Sequence, residues 1–245
     1  MEDLCLVINT CKGYNQNISE LIKQINNSTF NKNNVLIVSG QESEDSTSFI
    51  DDIKIVKVTY TGLHLTSSIY ILENRNEYAN INYWVLLPDT VKFGDDFFAK
   101  ILYYYESFLK NKKVLSLPFI NPCVRRTSMD MGIVHTKHLI NMSNYLKIIK
   151  TYNVNIEHLI NLKKKLIKDE NTILGLTPAV KNESTKFSFL YRFPVSNCFI
   201  CNAKEDIIEN LIDDGKINQI YIKNLDLYKF QRNFKGPDNK LIMSL

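Results

Sequence analysis

No apolar run in this chain reaches the roughly 18 residues that a membrane-spanning helix needs. Its first 20 residues open on Met-Glu-Asp and lack the basic start and apolar stretch of a signal peptide. A glycine-rich phosphate loop is missing too: neither G-x-x-x-x-G-K-[ST] nor G-x-G-x-x-G occurs, which argues against a P-loop kinase and a dinucleotide-dependent dehydrogenase. Charge of one sign is scarce. The chain has 30 basic and 26 acidic residues, a formal net charge of +4, and lysines mostly interleaved with acids. A nucleic-acid reader usually gathers Lys and Arg on one face, so no nucleic-acid partner is expected. The five cysteines, Cys5, Cys11, Cys123, Cys198 and Cys201, are odd in number and spread over a large chain, which excludes a secreted disulfide framework. A cytoplasmic, reducing location follows, and there a sequon such as Asn27-Ser28-Thr29 carries no meaning.

What the chain does contain is core-forming material. Over 245 residues it is 44% hydrophobic and 23% charged, enough for one large α/β domain or two small ones. Leu4 to Ile8 is a compact apolar run ending in Asn9 and Thr10, followed by Gly13 and by Asn17-x-x-Glu20 ahead of Leu21, Ile22 and Ile25. This predicts a strand, a loop and a capped amphipathic helix. Val35 to Val38 predicts a second strand, stopping at Ser39-Gly40-Gln41, and the alternation from Ile53 to Tyr60 a third, with a helix from about Leu65 to Leu72. Trp84 to Leu87 predicts a buried strand that runs at once into Pro88, Asp89 and Thr90. Phe97, Phe98, Ile101, Leu102, Tyr105 and Phe108 then follow at helical spacing, with Asp95 and Asp96 at the helix start, where carboxylates favour the positive end of the macrodipole. Val114 to Leu117 predicts another strand.

Strands alternating with helices in this way predict a mostly parallel central sheet with helices on its faces. The second half differs in texture. Residues 136 to 174 read as largely helical, with Lys163, Lys164 and Lys165 on the solvated side, while Ser184 to Phe193 alternates and Ile217 to Ile222 reads as a strand. With no repeat and no linker composition, the expectation is one continuous domain, 1–245: an α/β nucleotide-binding half (1–120) and a mixed α+β half (121–245).

In open α/β sheets ligands bind outside the carboxyl ends of the strands. Three such ends are polar here, Asn9-Thr10, Ser39-Gly40-Gln41 and Asp89-Thr90, although every strand must end in something polar and turn-forming. The stretch Trp84-Val-Leu-Leu-Pro-Asp-Thr-Val-Lys-Phe-Gly-Asp-Asp-Phe97 resembles the centre of a GT-A fold glycosyltransferase. In that superfamily an apolar strand ends in an Asp-x-Asp-type motif, and a helix begins a few residues later. "INTCKGYNQN", "IVSGQ" and "SMDMGIVHTKHLI" stand in the order that superfamily uses, so the resemblance spans roughly residues 3 to 175.

The resemblance implies a GT-A-like, Rossmann-like fold and a hexosyl- or pentosyltransferase that moves a sugar from a nucleotide-sugar co-substrate to a carbohydrate hydroxyl, with residues 121–245 on the acceptor side. It implies that Asn9, Thr10 and Ser39 lie near the base and ribose, and that Asp89, with Thr90, lies near the diphosphate. There Asp89 would hold Mn²⁺ or Mg²⁺ to neutralise the leaving group. The chain departs from the pattern at Val91, where the second acid belongs. Either Thr90 or water completes a cation's shell, or basic residues replace the ion. Arg125 and Arg126 are phosphate ligands or a surface pair. Asp130 binds a sugar hydroxyl or caps a turn. Asp169 and Glu170 resemble the acidic pair that supplies an inverting enzyme's base, or lie on a solvated helix.

Near the C-terminus, Lys223, Lys229, Arg232 and Lys235 alternate with Tyr228, Phe230 and Phe234. This segment reads either as a lid over the donor diphosphate or as an amphipathic terminal helix docked on the core. Cys198-x-x-Cys201 has no second pair to complete a zinc site and reads as buried thiols. His135-x-x-His138 reads as packing or surface residues before metal ligands. The rival to an enzyme is a non-catalytic carbohydrate- or protein-binding module on the same scaffold, which the loss of an acid at Val91 favours.

Overall fold

A strand covered by helices on both faces has no side left for polar residues, and this is why the apolar runs of the sequence become the middle of a sheet. The computed structural model of the chain describes residues 3–62, 65–110, 115–120, 131–151, 199–201, 203–212 and 217–232. Numbered along the chain, β1 (Leu4–Cys11), β2 (Val35–Gly40), β3 (Ser46–Ile50), β4 (Ile53–Lys57), β5 (Tyr83–Pro88), β7 (Ser116–Pro118) and β8 (Gly132–His135) form a seven-stranded sheet in the order β3-β4-β2-β1-β5-β8-β7. β1, β2, β4 and β5 run parallel, while β3 and β8 pair antiparallel with β4 and β5. The chain is therefore α/β with a mostly parallel central sheet. A second, antiparallel sheet of order β6-β11-β10-β9 joins β6 (Val91–Phe93) to β9 (Ile207–Ile212), β10 (Ile217–Ile222) and β11 (Leu227–Arg232).

Side chains alternate between the two faces of the large sheet. Leu4, Leu6 and Ile8 of β1 join Ile18, Leu21, Ile22 and Ile25 of α1 (Asn15–Asn26) and Phe97, Phe98 and Ile101 of α3 (Phe97–Tyr104) in one apolar cluster. Cys5 and Val7 face the other way, toward Ile69, Ile71 and Leu72 of α2 (Thr66–Glu73), Leu139 of α4 (Thr136–Asn141) and Leu146 and Ile149 of α5 (Ser143–Thr151). Each such Leu, Ile or Val taken out of water contributes roughly 1.5–3 kcal/mol. Ile220, Ile222 and Leu227 of the small sheet, with Leu225 from the turn between β10 and β11, belong to the first cluster, so the two sheets close over one core.

Several elements differ from the sequence reading. β1 continues past Ile8 to Cys11, carrying Asn9 and Thr10 inside the strand. α1 begins at Asn15 rather than being capped by Asn17, which lies buried in the first turn with both side-chain amide atoms unbonded among the described residues. The third strand stops at Lys57, short of Tyr60, and returns against β3, an edge strand exposed at every residue and so without the apolar alternation that marks a half-buried strand. α3 passes into a π-helical turn at Tyr105–Lys110. Within the basic and aromatic segment from Lys223 to Lys235, one reading of which was an amphipathic terminal helix, Leu227–Arg232 instead forms β11, completing a ladder with β10 and β6. The expected alternation at Ser184 to Phe193 and the lysine run at 163–165 lie outside the described residues.

Candidate functional site

From β1 the chain moves outward to β2 and then β4 on one side, and only afterwards places β5 on the other side of β1. Two parallel strands whose connections leave in opposite directions part at their carboxyl ends, and the crevice between them is where open α/β sheets bind ligands. Here that crevice is flanked by Asn9 and Thr10 of β1 and by Asp89, the residue after β5. The register pairs Asn9 with Pro88, and the Asp89 amide donates to the Asn9 carbonyl at 3.0 Å.

Asp89 is 8% exposed, and its Oδ2 accepts from the Thr10 hydroxyl at 2.6 Å. Burial is the largest influence on its carboxyl and raises it to about 6, against the Thr10 hydrogen bond, the Lys229 charge and its own backbone amide, each of which lowers it. Such an acid loses its proton near neutrality rather than well below it. Carboxyls shifted in this way by burial beside a fixed charge are concentrated in functional clefts.

Lys229 reaches this point from β11. It pairs with Val91 in the ladder, and the next residue, Phe230, donates its amide to the Thr90 carbonyl at 2.8 Å. Cross-strand partners share a face, so the Lys229 stem lies beside Val91, which is 0% exposed, and the residue as a whole is only 5% exposed. Reading the sequence grouped Lys229 with other basic residues but gave no hint that its charge acts on Asp89, because the ladder that brings them near spans the whole of the second half.

Around this pair the remaining polar groups are already engaged. Asn9 Oδ1 accepts from the Ser67 amide in the first turn of α2 at 2.8 Å, so Asn9 ties strand to helix. The Ser39 hydroxyl donates to Glu42 Oε1 at 2.6 Å. Cys11 stands at the same end, its thiol raised to about 11 by burial and then by the negative charges of Asp89 and Glu42. A thiol held protonated in this way is no nucleophile. The sequence reading passed over Glu42 and Cys11, and the only signal for Cys11 was its place one residue beyond Thr10. Thr90 is half-buried beside them.

Of the residues foreseen for the site, the structure thus brings together Asn9, Thr10, Asp89 and Thr90, with Ser39 at the adjacent strand end. Arg125, Arg126, Asp130, Asp169 and Glu170 lie outside the described residues, as does Cys198. His135 Nδ1 accepts from the Lys137 amide at 2.9 Å and its ring stands edge-on against Tyr83, so it serves packing. Burial raises the Cys201 thiol to about 12.

Hard cations such as Mn²⁺ and Mg²⁺ gather about six oxygen ligands, and Mg²⁺ is commonly held by one or two carboxylates together with water and substrate phosphates. The described residues bring a single carboxylate here, already accepting from Thr10, with an ammonium acting on it. Among the described residues no group of three or more His, Cys, Asp or Glu could hold a metal. No helix among them is long and apolar enough to cross a membrane. A separate groove of about 930 Å³ runs between the β3–β4 hairpin and α2, lined by residues such as Thr47, Phe49, Tyr60, Tyr70 and Glu73, and it does not include Asp89.

No family model matches the chain, and no curated protein matches it.

Proposed function

We propose that this chain is a cytoplasmic glycosyltransferase of GT-A type, which binds a nucleotide-sugar donor in the crevice between β1 and β5 and transfers the sugar to a hydroxyl of a carbohydrate acceptor. The observation that carries the reading is the buried Asp89–Thr10 pair at the point where the sheet's connections diverge. A buried carboxylate suits a hydroxyl donor, and a sugar nucleotide offers several, on the ribose and on the transferred ring. The three described cysteines, Cys5, Cys11 and Cys201, are free, which suits a reducing compartment.

In the transfer, the bond between the anomeric carbon and the diphosphate oxygen breaks, and its electron pair leaves with the nucleoside diphosphate. The acceptor oxygen forms the new bond to that carbon, and its proton passes to a base. We assign that base to the acids of the second half, Asp169, Glu170 or Asp130.

A panel of nucleotide sugars, assayed for release of nucleoside diphosphate with the parent and with Asp89→Ala, tests this. The parent should release diphosphate from one donor class, and the variant should lose about a hundredfold or more in kcat/KM, as for loss of a buried charged partner. Equal turnover by the variant removes Asp89 from the site. The competing reading, a non-catalytic carbohydrate- or protein-binding module, draws on the single carboxylate and predicts no release from any donor.

A further inference from the structure

A strand at the edge of a sheet leaves one row of backbone N–H and C=O groups without a ladder, and proteins usually blunt such a strand with lysine, proline or a bulge. β3, at the outer edge of the large sheet, has none of these: Ser46, Thr47, Ser48, Phe49 and Ile50 are all exposed and stand in unbroken register with β4. Asp51 and Asp52, with φ of 49° and 68°, form a two-residue type I′ turn, so Ile50 and Ile53 are a hydrogen-bonded pair. Such pairs alternate along an antiparallel ladder, which turns the amides of Ser46, Ser48 and Ile50 toward β4 and those of Thr47 and Phe49 outward. Among the described residues no strand meets that outer side. Phe49 is 66% exposed, and with Thr47 it borders the groove of about 930 Å³ beside α2.

We propose that β3 is a docking edge for an extended peptide segment with basic residues at both ends and an apolar centre. Charge complementarity selects this occupant. Exposed acids flank the strand on both sides, Glu44 and Asp45 before it and Asp51 and Asp52 after it. Asp45 Oδ1 accepts from the Thr59 amide at 2.7 Å and Asp51 Oδ2 from the Asn26 side-chain amide at 2.6 Å, and neutral donors of this kind leave both charges in place. Of the lysines nearby, Lys54 is paired with Glu77 and Lys150 with Glu73, which sets Lys57 against the four flanking acids. A second copy is the poorer fit: antiparallel pairing centred on Ser48 would put Asp45 opposite Asp51 and Glu44 opposite Asp52, like charge on like charge. A basic segment meets the same acids with opposite charge. Its main chain completes the ladder with Thr47 and Phe49, and its alternate side chains stand beside Phe49 over the groove. The groove does not include Asp89, so occupancy of this edge is independent of the donor-site reading.

Fluorescence anisotropy of the full chain with the labelled peptides KKVTVTVKK and EEVTVTVEE tests the proposal. The basic peptide should bind at least about tenfold more tightly, and its affinity should fall as salt is raised. Thr47→Pro removes an outward N–H and spares the hairpin's own bonds, so it should weaken binding about tenfold or more. Asp51→Asn combined with Asp52→Asn keeps side chains that accept a positive φ, removes two charges, and should weaken binding about threefold to tenfold. If Thr47→Pro loses the parent's cooperative unfolding, the paired asparagine variant decides alone. Binding of neither peptide, or of both equally, overturns the proposal, and so does unchanged affinity in a folded variant. Dimerisation seen by sedimentation and abolished by Thr47→Pro would give the edge to a second copy and overturn it as well.

Discussion

Asp89 holds its proton to a higher pH than an ordinary acid because the crevice that would bind a ligand keeps water away from it. Its carboxyl moves from an ordinary value of 3.8 to about 6, so ionising it costs the folded state. The stability it contributes is present below about pH 4 and is lost as pH rises through about 6. Relative to Asp89→Asn, which does not titrate, the parent should lose about 3 kcal/mol of unfolding free energy between those limits, with no further change above pH 7. Urea unfolding of both proteins at several pH values checks this, and a constant difference would show that Asp89 is solvated. At this scale the sequence was informative about Asp89, since a carboxylate directly after a core strand and a proline stands out. It was silent on the positive charge that acts on it: Lys229 lies 140 positions away by number, and only the ladder between β6 and β11 brings it near.

Elements hold the small sheet in place through one compact clasp. The tight turn between β10 and β11 carries Asp226 with a positive φ of 51°, and its carboxylate accepts from the Asp96 amide at 3.0 Å and from the Tyr221 hydroxyl at 3.0 Å. The acid at the N-terminus of α3 thus comes from another element, although Asp95 and Asp96 were expected to fill that role; Asp96 makes no side-chain cap. Gly94 donates its amide to the Asp226 carbonyl at 2.8 Å, and a Cβ there would run into the Asp226 carboxyl. Gly94→Ala should therefore cost about 1–3 kcal/mol by overpacking, and much of that cost should vanish in a background that already carries Asp226→Ala. A double-mutant cycle by chemical denaturation decides it, with additive losses counting against the clasp. Elements buried on both faces were legible because their apolar runs are continuous, as in β1, β2 and β5. β3 has five exposed residues, β6 is three residues long, and β11 alternates basic and aromatic side chains, so each takes its identity from a distant partner rather than from its own pattern.

On the scale of the whole molecule, the candidate site draws on both sheets: β1 and β5 of the large sheet supply Thr10 and Asp89, and the charge of Lys229 on β11 of the small sheet acts on Asp89. A ligand bound there stabilises the arrangement by mass action. Hydrogen exchange with and without a nucleoside diphosphate should slow at Thr10, Cys11, Asp89 and Thr90, while the outer strand β3 exchanges at its former rate, and unchanged exchange at those four residues would place the ligand elsewhere.

The ladder from β6 to β11 also sets an order of assembly. The Asp96–Asp226 contact closes a loop of 130 residues, longer than the spans over which β1, β2, β4 and β5 find their neighbours. Long closures are slow to form. A growing chain therefore shapes the wall that carries Asp89 before β11 joins the ladder with β6, and Lys229 arrives late. A chain whose β11 fails to dock keeps the strand ends that carry Thr10 and Asp89 but loses the one described positive charge that acts on Asp89.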